Sequence, residues 1–292
     1  MLGQHPEMFG LPELHLLDLE NVGQWFERCG RARTPIVDGL LRTVAEVYFG
    51  AQTEATVQLS RGWLRRRTHW STGYLFETLA RVVQPRMLVE KSPSLARQLP
   101  LLRHLRALFP AARFIHLVRH PRGHGESVAK LMGELEPHGP LPRWLLELAG
   151  ARLPLGARVR SLAAIDPQQG WLGRHRVICE FLGSMPQAGY LRVRGEDLLG
   201  DPDTHLKRIA GWLRLRTDAE AIEAMKHPEQ SVFARRGPRG ASHGNDRFFI
   251  ENPVLRPVRM EGLTLDGPLG WRDDGTQFSE PVRQLARRFG YQ

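Results

Sequence analysis

The sequence predicts an α/β fold in which a parallel sheet is flanked by helices. Three observations predict it. Short apolar runs at 86–89, 114–118 and 190–193 have the length and composition of buried strands. Stretches of helical periodicity lie between and around them. The resulting order of strand, helix, strand, helix is that of βαβ units, which build parallel sheets. Ligands of such sheets bind beyond the carboxyl ends of the strands. Polar clusters stand at two of those ends, Glu90-Lys91-Ser92 and Arg119.

The elements follow in order. Residues 14–29 read as helix, with Leu16, Leu17, Leu19, Val22 and Phe26 at helical spacing. Residues 36–49 and 72–83 read as helices as well. The strand at 86–89 ends in a polar loop, and Ser94 is placed to cap a helix over 95–108 that Pro100 interrupts. The strand at 114–118 leads into a turn at 119–122 and a helix at 123–133. Residues 134–156, dense in Gly, Pro and Leu, are expected to form a lid or a substrate-side insertion. Further helices are expected over 171–183, 203–213, 218–225 and 279–289, and a long loop over 234–257. Long loops inside compact domains are often functional. No internal repeat punctuates the chain, and one domain over 1–292 is expected.

Composition narrows the class. The 292 residues are 41% hydrophobic and 25% charged, ordinary for a globular protein and enough for a large core. No run approaches the roughly 20 apolar residues of a membrane span. The first ten residues lack the basic and apolar regions of a signal peptide. Two cysteines, Cys29 and Cys179, make no disulfide framework. Together these predict a cytoplasmic protein. The net charge of +10 suits a polyanionic partner, either nucleic acid or a nucleotide with several phosphates. Plain arginine-rich usage, as at 65–67 and 235–236, explains the charge equally well. The histidines lack the spacing of a metal site, so no metal is expected.

The segment from Arg119 to Ser127 puts an arginine at a strand end and a serine one helical turn into the next helix. A guanidinium fork and a hydroxyl near a helix N-terminus can share one phosphate. Spacing alone fits an ordinary strand–turn–helix as well. The whole stretch 114–128 resembles the element of sulfotransferases dependent on 3′-phosphoadenosine 5′-phosphosulfate (PAPS) that binds the nucleotide's 3′-phosphate. The likeness is to bacterial sulfotransferase domains and tyrosylprotein sulfotransferases. It implies the P-loop NTPase-like sulfotransferase fold, with Arg119 and Ser127 as the 3′-phosphate ligands.

Other segments are similar to that family in its order. Val89-Glu90-Lys91-Ser92-Pro93 resembles the strand end whose lysine meets the sulfuryl group or bridging oxygen of PAPS. An ammonium there can neutralise charge on the leaving phosphate. His5-Pro6 followed by Glu13 resembles a helix end and the glutamate proposed as general base in tyrosylprotein sulfotransferases. His15 stands where that family has arginine, and is an alternative base. Glu13 is also placed to serve as a carboxylate at a helix start. The stretch 190–198 resembles a strand end that is largely structural in the family. The loop with Arg235, Arg236 and Gly237 resembles the basic loop that closes over the 3′-phosphate. Glycine there lets the backbone approach an anion.

The resemblance implies one element more, a loop similar to Pro-Arg-Ser-Gly-Thr-Thr after a first strand, which cradles the 5′-phosphosulfate. The sequence opens inside the helix expected to follow that loop, and no Gly-x-x-x-x-Gly-Lys-Ser/Thr loop occurs within it. The expectation is a sulfotransferase whose start lies upstream of Met1, or else a truncated and inactive form. The acceptor would be a hydroxyl or amine of a small molecule, peptide or carbohydrate, and no nucleic acid is expected as partner. The segments 50–71 and 134–170 are the expected acceptor side and carry no recognisable motif. The rival readings are a nucleotide kinase-like enzyme and a basic nucleic-acid-binding protein.

Overall fold

The computed structural model describes residues 1–31, 38–135, 145, 146, 149, 165–257 and 262–292. The expected lid at 134–156 falls almost wholly outside them. The described chain groups into two compact units. One comprises Met1–Ala112 and Asp201–Arg256, the other Arg113–Gly200 and Pro257–Gln292. Each carries a parallel pair of strands with flanking helices.

In the first unit, β1 (Met8–Gly10) pairs parallel with β2 (Met87–Val89), Phe9 opposite Leu88. At three residues β1 is too short to show an alternation, and it was not expected. A 3-10 turn over Leu2–Gln4 precedes it and ends at His5, short of the longer helix the sequence implied. The helix expected from 14 begins later, as α1 (Val22–Arg31). Asn21 Oδ1 accepts the Gln24 amide at 3.0 Å and caps it. Leu14, Leu16 and Leu17 are buried without being helical. Their spacing reports burial, not a helix.

The remaining elements of this unit are helical. After α2 (Asp38–Phe49) comes α3 (Glu54–Arg65), in a stretch where no element was expected. Its start is a reciprocal cap between Thr53 and Thr56. Ser71 caps α4 (Thr72–Val82). Beyond β2, a 3-10 turn over Pro93–Ala96 leads to α5 (Leu99–Leu108). Pro100 therefore sits in a first helical turn, where its missing N–H costs nothing. Ser94 does not cap this helix. Helices at Pro202–Leu213, Ala219–Met225 and Arg247–Glu251 complete the unit, each capped by a preceding aspartate. The last lies inside the stretch expected to be all loop. The core gathers Trp25, Leu40, Leu41, Leu75, Leu79 and Phe233.

In the second unit, β3 (Phe114–Val118) pairs parallel with β4 (Tyr190–Arg194) over all five residues. The helix after β3 is α6 (Pro121–Leu135), with proline in its first turn. The next is α7 (Pro167–Gly183), capped by Asp166. β4 runs directly into the short α8 (Gly195–Gly200). A helix at Glu280–Arg288 packs with α7 around a core of Val118, Trp171, Phe278, Val282 and Phe289. Among the described residues no helix is long and apolar enough to cross a membrane.

Candidate active site

Residues from two distant parts of the first unit meet at one carboxylate. The Glu13 segment lies alongside the end of β2, since the Leu11 amide donates to the Val89 carbonyl at 2.9 Å. The Glu13 amide donates to the Gly244 carbonyl at 2.7 Å. A Cβ on Gly39 would come within 2.1 Å of the Glu13 carbonyl oxygen, so only glycine lets α2 lie so close. Gly244 itself has φ +102°, a conformation glycine adopts freely. Glu13 is thus not at a helix start. It is fixed by backbone contacts, with its side chain toward the end of β2.

Lys91 Nζ donates to Glu13 Oε1 at 3.1 Å. His15 Nε2 lies 3.3 Å from Glu13 Oε2. Each carboxylate oxygen therefore has one cationic or hydrogen-bonding partner. Burial acts to raise the Glu13 pKa, but the His15 and Lys91 contacts outweigh it and hold the carboxyl below its ordinary value. The Lys91 side chain is about half exposed, with 49% of its surface open, so its ammonium stays accessible from the outer side. The residues flanking Lys91 turn the other way. Ser92 and Ser94 are buried, and Ser94 Oγ lies 3.2 Å from His15 Nδ1. Both ring nitrogens of His15 are thereby engaged.

The basic loop is anchored from below by a residue that sequence reasoning passed over. Arg42, on α2, is 1% exposed. Its guanidinium donates to Gln52 Oε1 at 2.6 Å, to the His243 carbonyl at 2.7 Å and to the Arg235 carbonyl at 2.8 Å. Burial lowers its pKa to about 10, against the opposing pull of Asp38 and Glu46. The Arg235 and Arg236 side chains are exposed, and Arg236 lies 4.0 Å from Glu251. Gly237 is required by the loop itself, since a Cβ there would fall 2.1 Å from the Ala241 carbonyl oxygen and 2.9 Å from Arg42 Nε. The signal for Arg42 was its setting: Leu40, Leu41, Val44 and Ala45 surround it on a helix apolar almost all round.

In the second unit, Arg119 and Ser127 are both exposed, one just before α6 and one within it. The Arg119 carbonyl accepts the Trp171 indole N–H at 2.9 Å, which pins the backbone and leaves the guanidinium outward. His120 and Arg122, between them, face inward. The His120 amide donates to Glu196 Oε1 at 2.7 Å, and Tyr291 Oη donates to Glu196 Oε2 at 2.7 Å. Arg122 donates to the carbonyls of Thr264, Asp266 and Pro268 at 2.9, 2.7 and 2.8 Å. Glu196 and the bidentate Arg194–Asp197 pair give the start of α8 a structural task. Among the described residues no three His, Cys, Asp or Glu side chains gather as metal ligands.

A family model described as "Sulfotransferase family" matches residues 1–219. That is three-quarters of the 292 residues. The chain belongs to the sulfotransferase family. Its fold agrees with solved sulfotransferase domains. One is the sulfotransferase domain from the olefin synthase of Synechococcus PCC 7002, at 24% identity and a TM-score of 0.71, covering 100% of this chain and 88% of that one. Another is the sulfotransferase domain from the curacin biosynthetic pathway, at 22% identity and a TM-score of 0.71, covering 100% of this chain and 91% of that one. No curated protein matches the sequence. This sulfotransferase therefore has the expected α/β fold of parallel strands and flanking helices, and Glu13, His15 and Lys91 stand together within one of its units.

Proposed function

We propose that the chain moves a sulfuryl group from PAPS to a hydroxyl or amine acceptor, with Glu13 as the base that takes the acceptor's proton. The observation that carries this reading is the Glu13 carboxylate, held between Lys91 Nζ at 3.1 Å and His15 Nε2 at 3.3 Å. A carboxylate kept below its ordinary pKa is ionised at neutral pH, and each of its oxygens keeps a second lone pair that can take a proton, which an imidazole nitrogen does not. His15 has both ring nitrogens in hydrogen bonds, which favours it as the partner that orients Glu13 over the alternative in which it is itself the base.

In the reaction the acceptor heteroatom bonds to sulfur and the bond from sulfur to the phosphate oxygen breaks. The acceptor's proton passes to Glu13, and the electron pair leaves with adenosine 3′,5′-bisphosphate. Protonation removes the charge that Lys91 pairs with, so the ammonium is released to face the anionic leaving group as it forms. Arg119 and Ser127 are assigned to the 3′-phosphate, with Arg235 and Arg236 adding positive charge and Gly237 shaping their loop. The exposed guanidinium of Arg119 on a pinned backbone suits a phosphate ligand. One sulfotransferase domain over 1–292, in the cytoplasm, is the organisation proposed. The full coverage of this chain by both solved domains supports its extent.

Calorimetry with adenosine 3′,5′-bisphosphate tests the donor. Saturable binding is expected, weakened at least ~10-fold by Arg119→Ala. Transfer of labelled sulfuryl from PAPS should be lost in Glu13→Gln with bisphosphate binding unchanged. Binding of DNA with a steep salt dependence, and none of the bisphosphate, would overturn the reading in favour of a nucleic-acid binder.

A further inference from the structure

The hydrogen bonds around His15 lead, one after another, to a half-buried carboxylate, Glu90, that the proposed reaction does not use. His15 has φ +45°, the left-handed region that a residue with a Cβ occupies only when its surroundings compel it. Its amide donates to Ser92 Oγ at 2.9 Å and its carbonyl accepts from Arg28 Nη1 at 3.1 Å. Its imidazole is held by Ser94 Oγ at 3.2 Å and Glu13 Oε2 at 3.3 Å. Arg28 is kept in place by both oxygens of Asp18, at 3.1 and 3.0 Å.

Ser92 sets the direction of the chain. Its hydroxyl accepts from an amide, which can only donate, so its own proton must go elsewhere. The remaining partner is Glu90 Oε1. The Ser92 amide donates to Glu90 Oε2 at 2.9 Å. Both oxygens of Glu90 are thus acceptors for one serine, and that serine holds the amide of the left-handed residue. The order of Glu90, Lys91 and Ser92 divides the labour. Lys91 reaches Glu13 directly, while the residues on either side reach it through His15. The charged groups facing Glu13 are Lys91 and His15, and the same two act on Glu90.

We propose that Glu90 and Ser92 are positioning residues that lock His15 in its left-handed turn, and so hold the imidazole against Glu13 and set how tightly Glu13 binds a proton. This rests on Glu13 as the base of the proposed reaction. It assigns a task to two residues that have no part in the proposed transfer itself.

The experiment is a carbon-13 NMR titration of the Glu13 carboxyl in the full chain, assigned by Glu13→Gln, with amide exchange of His15 recorded alongside. Glu90→Gln keeps the shape but places an amide where only acceptors fit. Ser92→Ala removes the link. Both should raise the Glu13 midpoint by about half a pH unit or more, and Ser92→Ala should speed exchange at the His15 amide at least ~10-fold. Ser92→Thr, which keeps the hydroxyl, should restore both. Should Ser92→Ala fail to fold, Ser94→Ala removes only the contact at Nδ1 and should raise the midpoint by a smaller amount. A midpoint unmoved in Glu90→Gln and Ser92→Ala, or in Ser94→Ala where these do not fold, overturns the proposal, whatever happens to melting temperature. So does a threonine variant that behaves like alanine. The titration needs neither donor nor acceptor. A shifted midpoint with wild-type transfer in Glu13→Gln would count against the base, and an unmoved midpoint with transfer lost in Glu13→Gln would count against the lock alone.

Discussion

Acidification from pH 7 to pH 5 should destabilise the second unit, and four histidines held well below their ordinary pKa, His116, His120, His124 and His175, set the amount. His116 Nε2 and His175 Nδ1 lie 2.8 Å apart, and the two residues are 4% and 9% exposed. Arg192 Nε donates to His116 Nδ1 at 3.2 Å. An arginine can only donate, so Nδ1 of His116 carries no proton. Its proton is on Nε2 and points at His175 Nδ1. Both acceptor nitrogens already face a donor, and a further proton at either would sit between two hydrogens. Burial, then the Arg192 charge, lowers His116 to about 4. Burial, then His116 and neighbouring cations, lowers His175 to about 3. An unfolded histidine titrates near 6.5. Between that value and about 4 the unfolded chain binds protons that the fold refuses, so stability falls as the pH falls. At pH 5 the cost is about 2 kcal/mol per histidine, at most about 4 kcal/mol for this pair and about 8 kcal/mol with His120 and His124, which burial also lowers to about 4. That is a large part of the roughly 5–15 kcal/mol that holds a typical protein folded. Urea unfolding followed at the tryptophans, at pH 7, 6 and 5, should show this decline. His175→Gln keeps an acceptor but cannot be protonated, and should remove about a quarter of it, one histidine's share of four. An unfolding free energy level from pH 7 to pH 5, or a decline of full size in His175→Gln, would refute the assignment.

Two further outcomes follow from the basic loop. Arg42→Met removes a buried guanidinium and strands three acceptors, so a loss of about 3 kcal/mol or more is expected in urea unfolding, together with weaker bisphosphate binding. Arg42→Lys should recover little of either, because one ammonium cannot span the fork. Gly237→Ala forces a Cβ against the Ala241 carbonyl and Arg42, and should cost about 1–3 kcal/mol by the same measurement while leaving the Glu13 titration unchanged.

What the sequence disclosed and what it hid divide along the distance between partners. β3 and β4 were legible because a short apolar run that ends in charge is a local signal, and the turn after β3 announced itself by its proline. The helix expected over 14–29 failed because Leu14, Leu16 and Leu17 are buried in a chain that is not yet helical. The spacing of apolar residues there satisfied two structures equally. The cap at Asn21, with Gln24 three residues on, was the better local mark of where α1 begins. Glu13 and Lys91 are 78 residues apart, and nothing in their spacing joins them. They came together on paper only through likeness to a family.

Arg122 shows the same limit from the other side. By position it belongs to a phosphate-facing turn, and its charge is right for that. Its three partners lie more than 140 residues later, at 264–268, and take its guanidinium inward. Arg119, three residues earlier and of the same charge, keeps its side chain outward. A sequence motif lists both arginines alike, and only the supply of carbonyl acceptors separates a ligand from a strut. The same reasoning separates Lys91 from Glu90 beside it. One faces outward with an accessible ammonium. The other has both oxygens spent on Ser92. Residue type names the chemistry available at a site. Which residues are free to perform it follows from which hydrogen bonds the fold has already used.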